Sequence, residues 1–268
     1  APATLVFFVL VGAFRGFQDL TTPLYASILA NTTNLALDAV LMFGFGLGTF
    51  GAGLATSVSQ YAAAGVLFGF LIKQDRLRVS DLMPVPGWKS MYSVLKPGLS
   101  LVLRKVLENL SLSMCTAYAG FLGVTQLAAQ ETARAIWSVS GVSWWPLGGT
   151  ALTMCSRLNA QKDYVAVEAV AQRIIRFAFG ISSVVSVGVF LLSSSIPVLF
   201  SADAVLKPVA SEVLKYAAMT FPIAAIVDIS ESVSMSKQEY KFQTLVMTIS
   251  FCIMVASISV VKYYALGL

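Results

Sequence analysis

Apolar residues in this chain gather into blocks of about twenty, separated by short polar stretches, and that spacing limits the fold more than any other feature. About twenty residues is the length an α-helix needs to cross a hydrocarbon core of ~30 Å. A chain inside hydrocarbon must satisfy its backbone polar groups within each segment, which favours helices. Only 12% of the residues are charged, against roughly 25% in an ordinary soluble domain. A water-facing surface is hard to build from so few charges, so the expected fold class is all-α: a polytopic membrane protein.

Reading from the start, residues 1–13 form an apolar block without a basic start or cleavage site, so they do not resemble a signal peptide. As a helix they reach only ~20 Å, which suggests that the sequence begins partway through a membrane helix. Full spans are expected at Leu24–Phe43, Gly51–Ile72, Pro97–Gly123, Thr125–Ser156, Phe177–Phe200, Pro208–Ile229 and Phe242–Val261. The fourth carries Gly141, Pro146, Gly148 and Gly149, so a kink is expected near Pro146, a plausible hinge. Lys73–Lys96 is the longest hydrophilic connection and divides the chain into residues 1–72, a loop at 73–97 and residues 98–268. Asp75 and Asp81 are expected to be solvated linker residues.

The net charge of +5 does not indicate nucleic acid, because the Lys and Arg residues lie between the apolar blocks instead of forming a basic stripe. Laid on alternate loops, all but four of the eighteen fall on one side, the exceptions being Lys207, Lys262, Arg134 and Lys215. This asymmetry follows the positive-inside rule and supports the order of spans. Histidine is absent, which removes Ser-His-Asp and Cys-His nucleophile systems and the usual zinc ligands. Cys115, Cys155 and Cys252 are far apart inside apolar blocks and are expected to be small core residues. Gly46, Gly48 and Gly51 form a G-x-G-x-x-G pattern, but it follows a helix and lacks the strand that a dinucleotide site needs. A weak internal echo joins Gln18 and Asp19 to Gln238 and Glu239, each pair in a polar loop ahead of a span, as between the halves of many transporters.

The stretch from Arg15 to Tyr61 contains R-G-F-Q-D-L-T-T-P, then N-T-T-N-L-A-L-D, then G-F-G-L-G-T-F-G-A. It resembles the multidrug and toxic compound extrusion (MATE) family of transporters. L-A-A-Q-E-T-A-R-A-I-W at Leu127–Trp137 and N-A-Q-K-D-Y at Asn159–Tyr164 resemble the two ends of that family's eighth helix. The resemblance implies two six-helix bundles, with this chain running from the fourth helix to the eleventh and lacking the earlier helices and the last. W-W-P-L-G-G-T-A-L at Trp144–Leu152 is similar to the plant and algal branch, which includes plastid-envelope carriers of organic anions, although Leu152 stands where a glutamine is frequent. The implied location is a multi-pass protein of the plastid envelope or plasma membrane. The implied partners are a small organic solute and membrane lipid, with no nucleic acid, and the expected state is a monomer.

Ionisable residues at membrane depth are functional candidates because an unpaired charge there is costly. Asn31, Asn34 and Asp38 share one helix face and can either line a polar interior or hydrogen-bond a neighbouring helix. Arg104 and Glu108, four apart, can pair along their helix with Lys105 beside them. They are either a snorkelling salt bridge or, respectively, an anion contact and a coupling carboxylate. Glu131 and Arg134, three apart, offer the same choice. Asp228 and Glu231 are expected near a helix end, either solvated there or placed for proton uptake.

The expected activity is export of an organic solute, organic anions included, in exchange for H+ or Na+ by alternating access, with no enzymatic group and no other cofactor. The alternatives are a flippase for lipid-linked substrates, another membrane-embedded enzyme, or a channel. Arg104, Lys105, Arg134 and Lys215, at or near membrane depth, tilt the solute toward an organic anion.

Overall fold

The computed structural model describes residues 2–78, 80, 87–200 and 205–266, and every regular element among them is helical. The expected linker residue Asp81, and residues 201–204 at the close of the fifth span, lie outside the described residues. The chain divides into two compact units, residues 1–87 and 88–268.

Unit 1 contains α1 (Pro2–Gly16), α2 (Thr21–Asp38), which continues as a π-helical turn over Ala39–Gly44, and α3 (Gly48–Lys73). Both α1 and α2 pack on α3. The core between them is built from Leu10, Phe14, Ala26, Ala64, Leu67 and Leu71. Gly51 sits where α3 passes the widened turn, and a Cβ there would lie 3.0 Å from the carbonyl of Leu41. Only glycine permits that approach.

Unit 2 contains α4 (Trp88–Leu122), α5 (Val124–Gly141), α6 (Trp145–Ala160), α7 (Tyr164–Leu191), the short α8 (Ile196–Phe200), α9 (Leu206–Ser236) and α10 (Tyr240–Leu266). Helix α9 is the central post, with α5, α6 and α7 packed on it, while α10 packs on α4. Along the post, Ala218, Ala225, Ala151 and Ala178 are fully buried around Trp144, Phe221 and Ile229. Small side chains let helix backbones approach closely, the usual device of helix association in membranes. Polar groups add cross-links, with Ser186 donating to the carbonyl of Ala218 at 2.7 Å and Asn159 Nδ2 donating to Ser236 Oγ at 2.9 Å.

Among the described residues, five helices are long and apolar enough to cross a membrane: Thr21–Gly44, Gly48–Lys73, Tyr164–Leu191, Leu206–Ser236 and Tyr240–Val261. Their outward faces carry exposed apolar side chains such as Leu35, Val184, Leu191, Ile223 and Ile253. Hydrocarbon is the solvent that suits those faces.

The two remaining expected spans need correction. The span expected at Thr125–Ser156 is not one kinked helix but two, α5 and α6, separated by a turn at residues 142–144. Pro146 occupies the first turn of α6, where its missing N–H costs nothing, so the break lies just ahead of it. Helix α4 is long enough to cross, but its five charges between Lys89 and Glu108 keep it outside the apolar class.

Several boundaries also move. Helix α4 starts at Trp88, so residues 88–96, expected in the connecting loop, are helical, and Pro97 lies inside the helix instead of opening it. Most of the polar stretch Arg157–Arg176 is helical, because α7 starts at Tyr164. Helix α9 runs on to Ser236, so the loop expected at Ser230–Lys241 shrinks to residues 237–239.

Four helices end in the same way. Gln18, Asp75, Lys162 and Gln238 each adopt positive φ, between 52° and 61°. In each case the N–H of the next residue bonds a carbonyl five positions back: Asp19 to Phe14, Arg76 to Leu71, Asp163 to Leu158 and Glu239 to Ser234. This is the Schellman closure, here made without glycine. All four lie in connections that the charge alternation assigns to the basic side.

Candidate functional site

The densest group of ionisable side chains among the described residues lies in unit 2, between α4 and α9. Arg104 on α4 forms an ion pair with Glu231 on α9. Its other carboxylate neighbour, Glu108, is 3.9 Å away, while Lys105 Nζ donates to Glu108 Oε1 at 2.7 Å. The pairing expected along one helix is present at the long end of ion-pair distance, and two contacts extend it: Arg104 also bridges to α9, and Lys105 takes Glu108 more closely. The reason is rotational, because Arg104 is turned toward α9 and only a fifth exposed, whereas Lys105 is mostly exposed.

Asp228 lies one turn before Glu231 on the same helix, and its Oδ2 accepts the indole N–H of Trp144 at 2.9 Å. Trp144 is fully buried in the turn that separates α5 from α6. Asp228 and Glu231 thus lie in the body of α9, where the packing of three neighbouring helices shields them, and not at a solvated helix end. The carbonyl of Glu231 accepts Gln243 Nε2 of α10 at 2.8 Å, and Thr244 of α10 donates to the carbonyl of Ser100 on α4 at 3.0 Å. Helices α4, α9 and α10 are therefore cross-linked around the charged group. It contains three carboxylates, Glu108, Asp228 and Glu231, and two cations, Arg104 and Lys105.

Elsewhere in unit 2, Arg134 Nε donates to Glu131 Oε2 at 3.0 Å. The pair lies beside a cleft of about 460 Å³ between α4 and α5, lined also by Asn109, Ser113 and Thr116. Arg134 is 55% exposed and Glu131 39%, in the middle of a helix embedded among spans. Charges so placed are costly against lipid and need water or a polar partner beside them.

In unit 1, Asn34 Nδ2 donates to Thr56 Oγ1 of α3 at 3.4 Å. One turn on, Asp38 closes α2 at the start of the π-helical turn, with its buried Oδ1 lacking a hydrogen-bond partner. Asn31, on the same face, is exposed. At the opposite end of α2, Asp19 accepts the N–H groups of Thr21 and Thr22 at 3.1 and 3.0 Å and the Thr22 hydroxyl at 2.8 Å, and Arg76 lies 3.7 Å away. The backbone bond from Thr22 above all, with Arg76 adding to it, holds the Asp19 carboxyl below its ordinary range.

Trp144, Thr56, Gln243 and Thr116 belong to these arrangements without having stood out in the sequence. A tryptophan beside a glycine-proline break was a usable signal for Trp144. The others are ordinary helix residues whose partners are distant in sequence.

The MatE family profile matches residues 101–261. Protein DETOXIFICATION 43 of Arabidopsis thaliana is 30% identical over 244 residues, covering 90% of this chain and 45% of that protein. The same plant's protein DETOXIFICATION 44, chloroplastic, is 26% identical, covering 93% of this chain and 47% of that protein. Among solved structures, a mutant form of the Vibrio cholerae MATE transporter VcmN superposes with a TM-score of 0.81 at 14% identity, covering 92% of this chain and 56% of that one. The chain thus spans about half the length of the curated relatives it matches.

Proposed function

From the premise that this chain belongs to the MatE family, we propose that the full-length protein is a secondary transporter that exchanges an organic solute for H+ or Na+ by alternating access. The observation that carries this reading is the charge balance between α4 and α9. Three carboxylates face two basic groups, and Asp228 is held by a neutral indole and not by a cation. Such a site is one positive charge short and can take a proton or a sodium ion without displacing any protein group. Asp38 in unit 1, with one oxygen lacking a partner, is a second candidate for the same ion chemistry.

The solute contact is assigned to the cleft between α4 and α5. Glu131 occupies one side of the Arg134 guanidinium, and the exposed remainder offers donors to a solute carboxylate. Asn109, Ser113 and Thr116 add neutral hydrogen-bonding groups. This favours an organic anion. Ion and solute then act on each other through the conformational equilibrium, each in proportion to its differential affinity for the two states. The relative with a chloroplastic name supports a plastid envelope as the membrane, with the plasma membrane as the alternative.

The test uses the full-length protein in proteoliposomes, with saturable flux of a fluorescent organic anion followed against an imposed H+ or Na+ gradient. Uphill flux that one gradient drives, and that Asp228→Asn abolishes, is the expected result. Flux unchanged after both gradients are collapsed would overturn the coupling. Flux that never saturates would point to a pore.

A further inference from the structure

A groove of about 640 Å³ lies in unit 2 at the start of α10, lined by residues that do not belong to the carboxylate cluster. Ser93, Lys96, Pro97 and Ser100 of α4 line one wall, and the turn Gln238–Glu239 with Tyr240, Lys241 and Phe242 lines the other. We propose that this groove binds the headgroup of an anionic glycerophospholipid, with Lys96 and Lys241 on the phosphate and the acyl chains leading away past Pro97 and Phe242.

Depth supports this assignment first. The apolar span of α10 starts at Tyr240, so the groove lies where headgroups meet hydrocarbon. Exposed aromatic residues, Trp88 and Tyr92 on α4 and Phe242 on α10, stand around that level, as at a membrane interface. The groove also falls on the basic side of the chain, the side that meets anionic lipid in most membranes.

Charge supports it next. Lys96 and Lys241 are exposed, and Glu239 is the one acidic residue in the lining, so the groove keeps a net positive charge. Although the lining includes Ser93, Ser100 and Gln238, most of the groove's surface is apolar, which suits acyl chains better than a free polar ion. Pro97 has no N–H to give the carbonyl of Ser93, so a backbone acceptor in the wall lacks its in-helix donor. A glycerol hydroxyl is of the right kind to supply it.

Lipid in this groove would join the first third of α4 to the hairpin between α9 and α10. The helices already touch one turn deeper, through Thr244 and Ser100.

The experiment titrates the full-length protein in detergent with phosphatidylglycerol and, separately, with phosphatidylcholine, reading bound lipid by native mass spectrometry. Phosphatidylglycerol is expected to bind more tightly. Removing the charge in Lys96→Gln and Lys241→Gln should weaken it about fivefold each and roughly 25-fold together. The paired Lys96→Arg and Lys241→Arg variant should stay within about twofold of the parent, since it keeps both charges at the same level. Millimolar inorganic phosphate should not compete, because it brings no acyl chain. Equal binding of the two lipids by the unaltered protein would overturn the proposal without recourse to any variant. Undiminished phosphatidylglycerol binding by the doubly neutralised protein, or full displacement by inorganic phosphate, would overturn it as well.

Discussion

The indole N–H of Trp144 reaches the carboxylate of Asp228 at 2.9 Å and ties the break between α5 and α6 to the body of α9. A shift in the charge or position of Asp228 is therefore felt first at the one place where the α5–α6 rod is discontinuous. Replacing Trp144 with Phe removes the donor and leaves a shielded carboxylate without that partner. Thermal unfolding in detergent should show a loss of about 1–3 kcal/mol. Adding Asp228→Asn should return part of it, and a double variant as unstable as the sum of the singles would refute the link.

The bridge between Arg104 and Glu231 predicts strong non-additivity. Removing Arg104 as Gln leaves Glu231 facing the cluster without its cation and should cost on the order of 2 kcal/mol, between the values for exposed and buried pairs. The combined Arg104→Gln and Glu231→Gln protein should be more stable than either single variant. A double-mutant cycle in thermal stability measures the coupling directly, and a coupling of zero would mean that the two helices are held by packing alone.

Gly148 on α6 faces α9, where a Cβ would meet Ser232 Oγ at 2.9 Å. That hydroxyl itself donates to the carbonyl of Asp228 at 2.9 Å. Gly148→Ala should therefore displace the serine and destabilise the protein by roughly 1–3 kcal/mol. Ser232→Ala in the same protein should restore most of the loss. If the pair is no better than Gly148→Ala alone, the contact is not what limits the approach of α6 to α9.

Asp19 lies outside the spans and yields a pH prediction. The Thr22 N–H, then the neighbouring hydroxyl, the Thr21 N–H and Arg76, hold its folded-state pKa below the unfolded value. A depressed carboxylate pKa stabilises the fold fully above the unfolded value of about 4, and the contribution is lost as pH falls through the folded value. The stability gap between the parent and Asp19→Ala should be constant near neutrality and shrink below about pH 4. A gap that persists at full size into stronger acid would show that the charge is not what matters.

Most membrane spans could be read from hydropathy because lipid imposes a length on each apolar block. Partners across helices could not. That Arg104 meets Glu231 as well as Glu108 depends on how far α4 is rotated about its axis, and that rotation is set by α9 and α10. The spacing of Arg104 and Glu108 points to their contact within the helix but not to the bridge across to α9. The break ahead of Pro146 was legible as an irregularity, but its full extent depends on where Trp144 finds its acceptor. The helix ends at Gln18, Asp75, Lys162 and Gln238 gave no warning, since none carries the glycine that usually marks such a closure. Gln18–Asp19 and Gln238–Glu239 do share a backbone closure, but Asp75–Arg76 and Lys162–Asp163 have it too, so it is not particular to the echo.

Those four closures bear on how the protein can move. A hairpin reversed through a single left-handed residue leaves little slack between the two helices it joins, so at Gln18, Lys162 and Gln238 each pair is tethered more closely than a longer loop would hold it.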